Sequence, residues 1–293
     1  METQVHPPGQ HDTHDTGRHG WLAMADGLPL FVRDWPLEQA HGAVLLVHGL
    51  GEHSGRYLRL AAWFNQRGYA VRGYDQRGHG RTPGQRGALR RADDLLTDLA
   101  AVYRDYAGEL PAAPLLLGHS MGGLVALRTV LDGRVAPPAL VLSSPALRSW
   151  EPPWRIRLAR LLAPLVPRLP LRNHPPSARA SHDTGVVAAY LDDPLRSGWI
   201  TPRLADFIFR AGATCIADAA QLARPTLLLA AGSDDLVDPA GSREFSRLAT
   251  PTGVLTTHFF PALYHELFNE AEPWRGQVLA RLDGWLQRVA APG

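Results

Sequence analysis

The chain has no lysine at all; its 30 basic residues are all arginine. With abundant Ala, Gly and Pro, an absence this uniform reads as a base-composition bias of the genome and not as local chemistry. Cysteine occurs once, at Cys215, which excludes an intramolecular disulfide framework and a cysteine-based zinc site. Nothing in residues 1–20 has the apolar length of a signal peptide, and no run approaches the roughly 20 apolar residues of a membrane span. A soluble, cytoplasmic protein is the expectation. Charge of one sign is also lacking. The formal net charge is +2, so no nucleic-acid partner is indicated.

What is present suits one large globular domain with an insertion: 293 residues, 45% of them hydrophobic. Residues 1–19 hold His6, His11, His14 and His19 among Pro, Gly, Asp and Thr. Their irregular spacing, with nothing apolar to anchor it, favours a disordered leader over a metal-binding tail.

From Gly20 the pattern changes. Leu28–Trp35 reads as a strand, and Gly42–Val47 is a short apolar run of the kind covered on both faces. A helical stretch (Leu58–Arg67), a strand (Tyr69–Tyr74) and a glycine-rich loop (Asp75–Gly84) follow. Next come a helix (Ala92–Leu110), a strand (Pro114–Leu117), a helix (Ser120–Leu131) and a strand (Ala139–Leu142). This alternation predicts a mostly parallel central sheet flanked by helices. It breaks between 149 and 219, a stretch rich in Pro, Arg and Trp, and resumes with strands at Pro225–Ala230 and Val254–Phe260 and helices at Pro239–Leu248 and Trp274–Val289. The expected organisation is a core over 20–148 and 220–293, with 149–219 inserted as a helical cap.

Gly118-His119-Ser120-Met121-Gly122 stands between a strand and a helix, the context of a nucleophile elbow. A sharp reversal there leaves the Ser120 hydroxyl exposed, and glycine at 118 and 122 avoids collisions with the neighbouring strand and helix. The next helix aims its free N–H groups at the reacting centre, so the Met121 N–H can donate to an oxyanion. The bland alternative is a Gly/Ser-rich turn without chemistry.

With the elbow placed, the chain resembles the monoacylglycerol lipase and lysophospholipase-like family of α/β-hydrolases. The resemblance is carried by His48-Gly-Leu-Gly-Glu-His-Ser-Gly-Arg-Tyr57, Tyr74–Gly84, the elbow, Ser181-His-Asp183, Tyr190–Leu195, Ala231–Asp238 and Tyr264-His-Glu-Leu-Phe-Asn-Glu270. It implies an α/β-hydrolase fold with an apolar cap, a serine hydrolase acting through an acyl-enzyme on single-chain lipid esters, and no cofactor or metal.

A serine hydroxyl needs a base and an orienting acid, which in this fold follow in the order Ser, acid, His. Of the late histidines, His258 falls inside a strand, whereas His265 follows it in a loop and matches the family's base. On the pattern Asp-x-Leu-Val-Asp the family's acid falls on Asp234, with Asp235 the alternative. Asp238, just before Pro239, reads as a helix cap. The resemblance also gives the backbone N–H of Leu50 as the second oxyanion donor. Glu52 and Arg56 either shape the substrate site or form an ion pair that holds their loop. Some family members have, three positions after the base, a histidine that contacts the glycerol end of the substrate. Here that position is Phe268, a departure that bears on a monoacylglycerol preference.

In the insertion, Trp154, Leu158, Leu161, Leu162 and Leu165 recur at helical spacing between Arg155, Arg157 and Arg160, until Pro164, Pro167 and Pro170 break the helix. Such a stripe packs on a core, lines an acyl pocket or rests transiently on a membrane surface. Leu195, Trp199, Ile200 and Phe207 are further candidates for the acyl path. Competing functions are acyl transfer, peptidase or carbon–carbon hydrolysis on the same fold, and a non-catalytic binding protein that kept it. Nothing in the sequence sets the oligomeric state.

Overall fold

The computed structural model describes residues 17–173 and 179–290. Two strands open the chain, β1 (Arg18–Ala23) and β2 (Pro29–Trp35), paired antiparallel with Arg18 opposite Asp34 and Ala23 opposite Pro29. Arg18 and His19 therefore belong to a strand, which shortens the expected leader; residues 1–16, with His6, His11 and His14, lie outside the described residues. Then come β3 (Gly42–Val47), α1 (Leu58–Asn65), β4 (Tyr69–Tyr74), α2 (Asp94–Gly108), β5 (Leu115–His119), α3 (Met121–Leu131) and β6 (Leu140–Ser143).

The segment that follows carries α4 (Pro153–Leu165), β7 (Leu171–Arg172), α5 (Thr184–Asp192), β8 (Trp199–Ile200) and α6 (Pro202–Ala217). Among the described residues it has no strand in the main sheet; β7 and β8 pair only with each other. The chain returns with β9 (Thr226–Ala231), α7 (Pro239–Ala249), β10 (Leu255–Phe260) and α8 (Trp274–Ala290). The sheet runs β1-β2-β4-β3-β5-β6-β9-β10, parallel from β4 to β10, with β1 and β2 antiparallel at one edge.

The period of two along β3 sorts its side chains between two apolar layers. Leu45 and Val47 join α2 and α3 residues such as Leu99 and Leu124 on one face. Val44 and Leu46 join Phe64 of α1 and Leu282 of α8 on the other. Each fully buried Leu adds about 1.5–3 kcal/mol of transfer free energy, so this alternation sets the register of the sheet. The first layer also takes Leu204, Phe207, Ala211 and Cys215 of α6, so Phe207 is a core residue and not part of an acyl path. Helix α4 passes through Pro164 and ends at Leu165, one residue beyond the expected break.

Candidate active site

Ser120 sits between β5 and α3 with φ 54° and ψ −122°, a backbone conformation that L-residues rarely adopt. Strain of this kind costs on the order of 1–3 kcal/mol and persists only where the surroundings over-determine it. Here the Ser120 N–H donates to Ser143 O at 2.9 Å, while Leu124 and Ala146 N–H groups both donate to Ser120 O at 3.0 Å. The flanking glycines are sterically required. A Cβ at Gly118 would land on the Gly122 carbonyl, and one at Gly122 on the carbonyl oxygens of Val47 and His48.

His265 and Asp234 lie side by side in loops beyond β10 and β9. Nδ1 of His265 is 2.6 Å from Oδ2 of Asp234, and both side chains are almost fully buried. The other oxygen, Oδ1, accepts the N–H groups of Leu236 and Val237 at 2.9 Å each. Burial opposes charge on Asp234, but His265 and these two N–H donors outweigh it and hold its pKa below the ordinary value. Burial likewise opposes protonation of His265, and Asp234 outweighs it, raising the imidazole above its usual range. Asp235 is excluded from this pairing: it meets Arg179 at 2.5 Å on the surface. Asp238 caps α7 by accepting the Ala240 N–H. His258, in β10 opposite Leu229, is remote from the pair.

Ser120, His265, Leu50 and Met121 all line one cavity of about 1390 Å³. The Leu50 loop is fixed from below. His48 Nε2 accepts the Gln76 N–H at 2.9 Å, so the proton is on Nδ1, which donates to Gly49 O at 2.8 Å. Glu52 Oε1 accepts the Gly49 N–H at 2.5 Å and the Tyr57 hydroxyl at 2.9 Å. Arg56 then joins Glu52 at 2.7 Å to Glu266 at 2.8–2.9 Å, the residue after His265. Glu52 and Arg56 thus line the cavity and form a buried ion pair. Burial would raise the Glu52 pKa, yet Arg56, His119, His48 and the Gly49 N–H hold it at about 2.

Among the lining residues that the sequence reading did not single out are His119, Tyr190 and Glu266. His119 stacks obliquely 4.7 Å from His265; burial and that neighbour push its pKa down to about 4, so it is neutral. Tyr190 lies under the Arg56 guanidinium, 4.5 Å from ring centroid to Cζ, and Glu266 completes the set. Tyr190 and Glu266 stood inside motifs that carry the family resemblance; their spatial meeting with Arg56 left no local signal.

The expected apolar contacts divide. Trp154 and Leu158 line the cavity, but Leu161 and Leu165 do not; they are 62% and 69% exposed and face outward. The cavity is lined instead by Ile156, Ala159 and Leu162 of α4. Helix α4 is apolar on two sides, and periodicity alone does not say which one faces in. Ile200 lines the cavity, whereas Leu195 and Trp199 do not. Phe268 is not a lining residue either. It is buried in the second apolar layer with Leu263 and Leu279.

The family model described as serine aminopeptidase, S33, matches residues 38–272. A monoacylglycerol lipase of Mycolicibacterium smegmatis is 34% identical over 90% of this chain and 95% of its own length. The monoglyceride lipase of Homo sapiens is 30% identical over 93% and 91%. Among solved structures, the Paleococcus ferrophilus monoacylglycerol lipase is 31% identical, with a TM-score of 0.82 over 89% of this chain and 99% of that one. The chain is an α/β-hydrolase and belongs, with these monoacylglycerol lipases, to the S33 family of serine hydrolases.

Proposed function

We propose that the protein is a carboxylic ester hydrolase that cleaves single-chain lipid esters, monoacylglycerols first among them, through an acyl-enzyme on Ser120. His265 removes the hydroxyl proton as Ser120 attacks the ester carbonyl, and Asp234 holds the imidazole in the tautomer that can accept it. The N–H groups of Leu50 and Met121 receive the charge on the tetrahedral oxygen. His265 returns the proton to the leaving alcohol, and water repeats the sequence to free the acid.

The observation that carries this reading is the cavity itself. Ser120, Glu52, Arg56 and Tyr190 line it together with apolar residues of α4 and α6 such as Leu162, Ile208 and Phe209. All five carboxylates that line it are engaged by arginine: Glu52 and Glu266 by Arg56, Glu151 by Arg155, Asp235 by Arg179 and Glu244 by Arg148. A substrate amine would meet no uncommitted carboxylate here, which disfavours peptidase activity and favours a neutral head group.

Segment 149–219 acts as the cap in this reading, placed between the core halves 20–148 and 220–293. The exposed side of α4 that faces away from the cavity, with Leu161, Leu165 and Arg157, makes transient contact with the lipid surface that supplies substrate. No helix among the described residues is long and apolar enough to cross a membrane. The enzyme is cytoplasmic in this reading, which fractionation of native cells checks.

The test is a substrate screen combined with covalent labelling. Purified protein should hydrolyse monoacylglycerols, lysophospholipids less well, and p-nitrophenyl esters in proportion to apolar length. Fluorophosphonate should label it once, and Ser120→Ala should remove the label. Labelling of the Ala variant, or turnover confined to peptides, would overturn the reading.

A further inference from the structure

Glu270 is a buried carboxylate that the proposed chemistry does not use, and its side chain has no exposed surface. Its Oε1 accepts the Tyr264 N–H at 2.7 Å, and its Oε2 accepts the His182 N–H at 2.9 Å and the Ala271 N–H at 3.3 Å. His182 Nδ1 lies 3.0 and 3.1 Å from the two oxygens. A carboxylate is acceptor-only, so the imidazole donates to it from Nδ1. The His182 ring is in turn stacked on Tyr264, with centroids 3.7 Å apart and planes within 12°, and packs against Trp274.

These partners bracket His265. Tyr264, immediately before it, is held by Glu270 through the backbone and by His182 through the ring. Glu266, immediately after it, donates its N–H to Ala180 O at 2.8 Å. Asn269 O accepts the Ser181 hydroxyl at 2.8 Å. The loop that carries His265 is therefore strapped from the inserted segment, residues 180–182, and the knot of that strap is one buried carboxylate.

We propose that Glu270 and His182 are positioning residues that act through the backbone of Tyr264 and Glu266 to set where the His265 imidazole stands, so that the inserted segment governs the catalytic base as well as covering the site. This rests on His265 being the base, as proposed above. Displacement of a reacting group by about 1 Å costs on the order of a hundredfold in rate. Glu270→Gln replaces one acceptor oxygen with an NH2 that faces N–H donors. It should lower kcat roughly ten- to a hundredfold, with KM changed less than about twofold.

The experiment measures rates per active site, titrated with fluorophosphonate, so that loss of folded protein does not count as loss of chemistry. In Glu270→Gln the rate constant for fluorophosphonate labelling should fall in parallel with kcat, and the downfield proton resonance of the His265–Asp234 hydrogen bond should shift or broaden. His182→Asn, which restores one N–H donor, should retain more activity than His182→Ala. If wild type does not label at all, the serine-hydrolase reading fails. If wild type labels while Glu270→Gln and His182→Ala both match its rate per site and its proton resonance, the positioning role fails. Should Glu270→Gln not fold, the two His182 variants decide alone: equal per-site rates in Asn, Ala and wild type refute the proposal.

Discussion

Arg56 and Glu266 meet as a two-pronged ion pair, Nη1 to Oε1 at 2.9 Å and Nη2 to Oε2 at 2.8 Å, with both side chains at or below 10% exposure. The same Nη1 reaches Glu52, whose other oxygen holds the Gly49 N–H. One guanidinium therefore ties the loop bearing Leu50 to the loop bearing His265. Removing it strands two buried carboxylates. Arg56→Ala should cost about 3–5 kcal/mol in urea unfolding. Arg56→Lys keeps the charge but loses the fork, so it should recover only part of that stability.

The acid assignment separates cleanly by substitution. Asp234→Asn leaves His265 without its orienting carboxylate and should reduce kcat by about 10⁴-fold, the magnitude seen for the equivalent change in serine proteases. Asp235→Asn breaks only a surface pair with Arg179 and should leave kcat within about threefold. Equal losses in the two variants would put the acid elsewhere.

Activity and stability should respond to pH in opposite directions. As the proposed base, His265 accepts a proton only when neutral, and its pKa is raised, so the acid limb of kcat/KM should lie above the ordinary imidazole value of about 6.5. A raised folded-state pKa means that the charged pair stabilises the fold fully below the unfolded value. That contribution is lost as pH climbs through the folded value. Between those two values turnover should rise while unfolding free energy falls. In His265→Gln that part of the stability slope should vanish, which chemical denaturation across pH can measure.

Two glycine substitutions should have opposite signs. Gly122→Ala drives a methyl into the backbone at the end of β3 and should abolish soluble expression or activity. Gly108→Ala, at the end of α2, meets no atom within 4 Å and should stabilise by about 0.4–1 kcal/mol, because alanine restricts the unfolded chain. Thermal melting of the two variants and the wild type checks both.

Much of this was legible in the sequence because strands buried on both faces advertise themselves as short apolar runs between turns, and because the elbow's glycines sit beside its serine. The place of His265 in the loop after the last strand was legible too. Strand β1 was not: Arg18-His-Gly-Trp-Leu-Ala23 offers too brief an alternation, and only pairing with β2 makes it a strand. The outward face of α4 and the core burial of Phe268 depend on which surface each residue meets in three dimensions. The Glu270 knot is hidden for a related reason, since its donors are backbone N–H groups that no residue type reveals.

Helix α6 shows one face to the core, through Leu204, Phe207, Ala211 and Cys215, and another to the cavity, through Ala205, Ile208, Phe209 and Ala213. Helix α6 packs on α3 and α7, so it cannot swing aside without opening the apolar layer that it shares with them. In the proposed enzyme, α6 is then a fixed ruler for the acyl chain. Selection for a different acyl length can then work at positions such as Ala205 and Ala213 without redesigning how substrate enters.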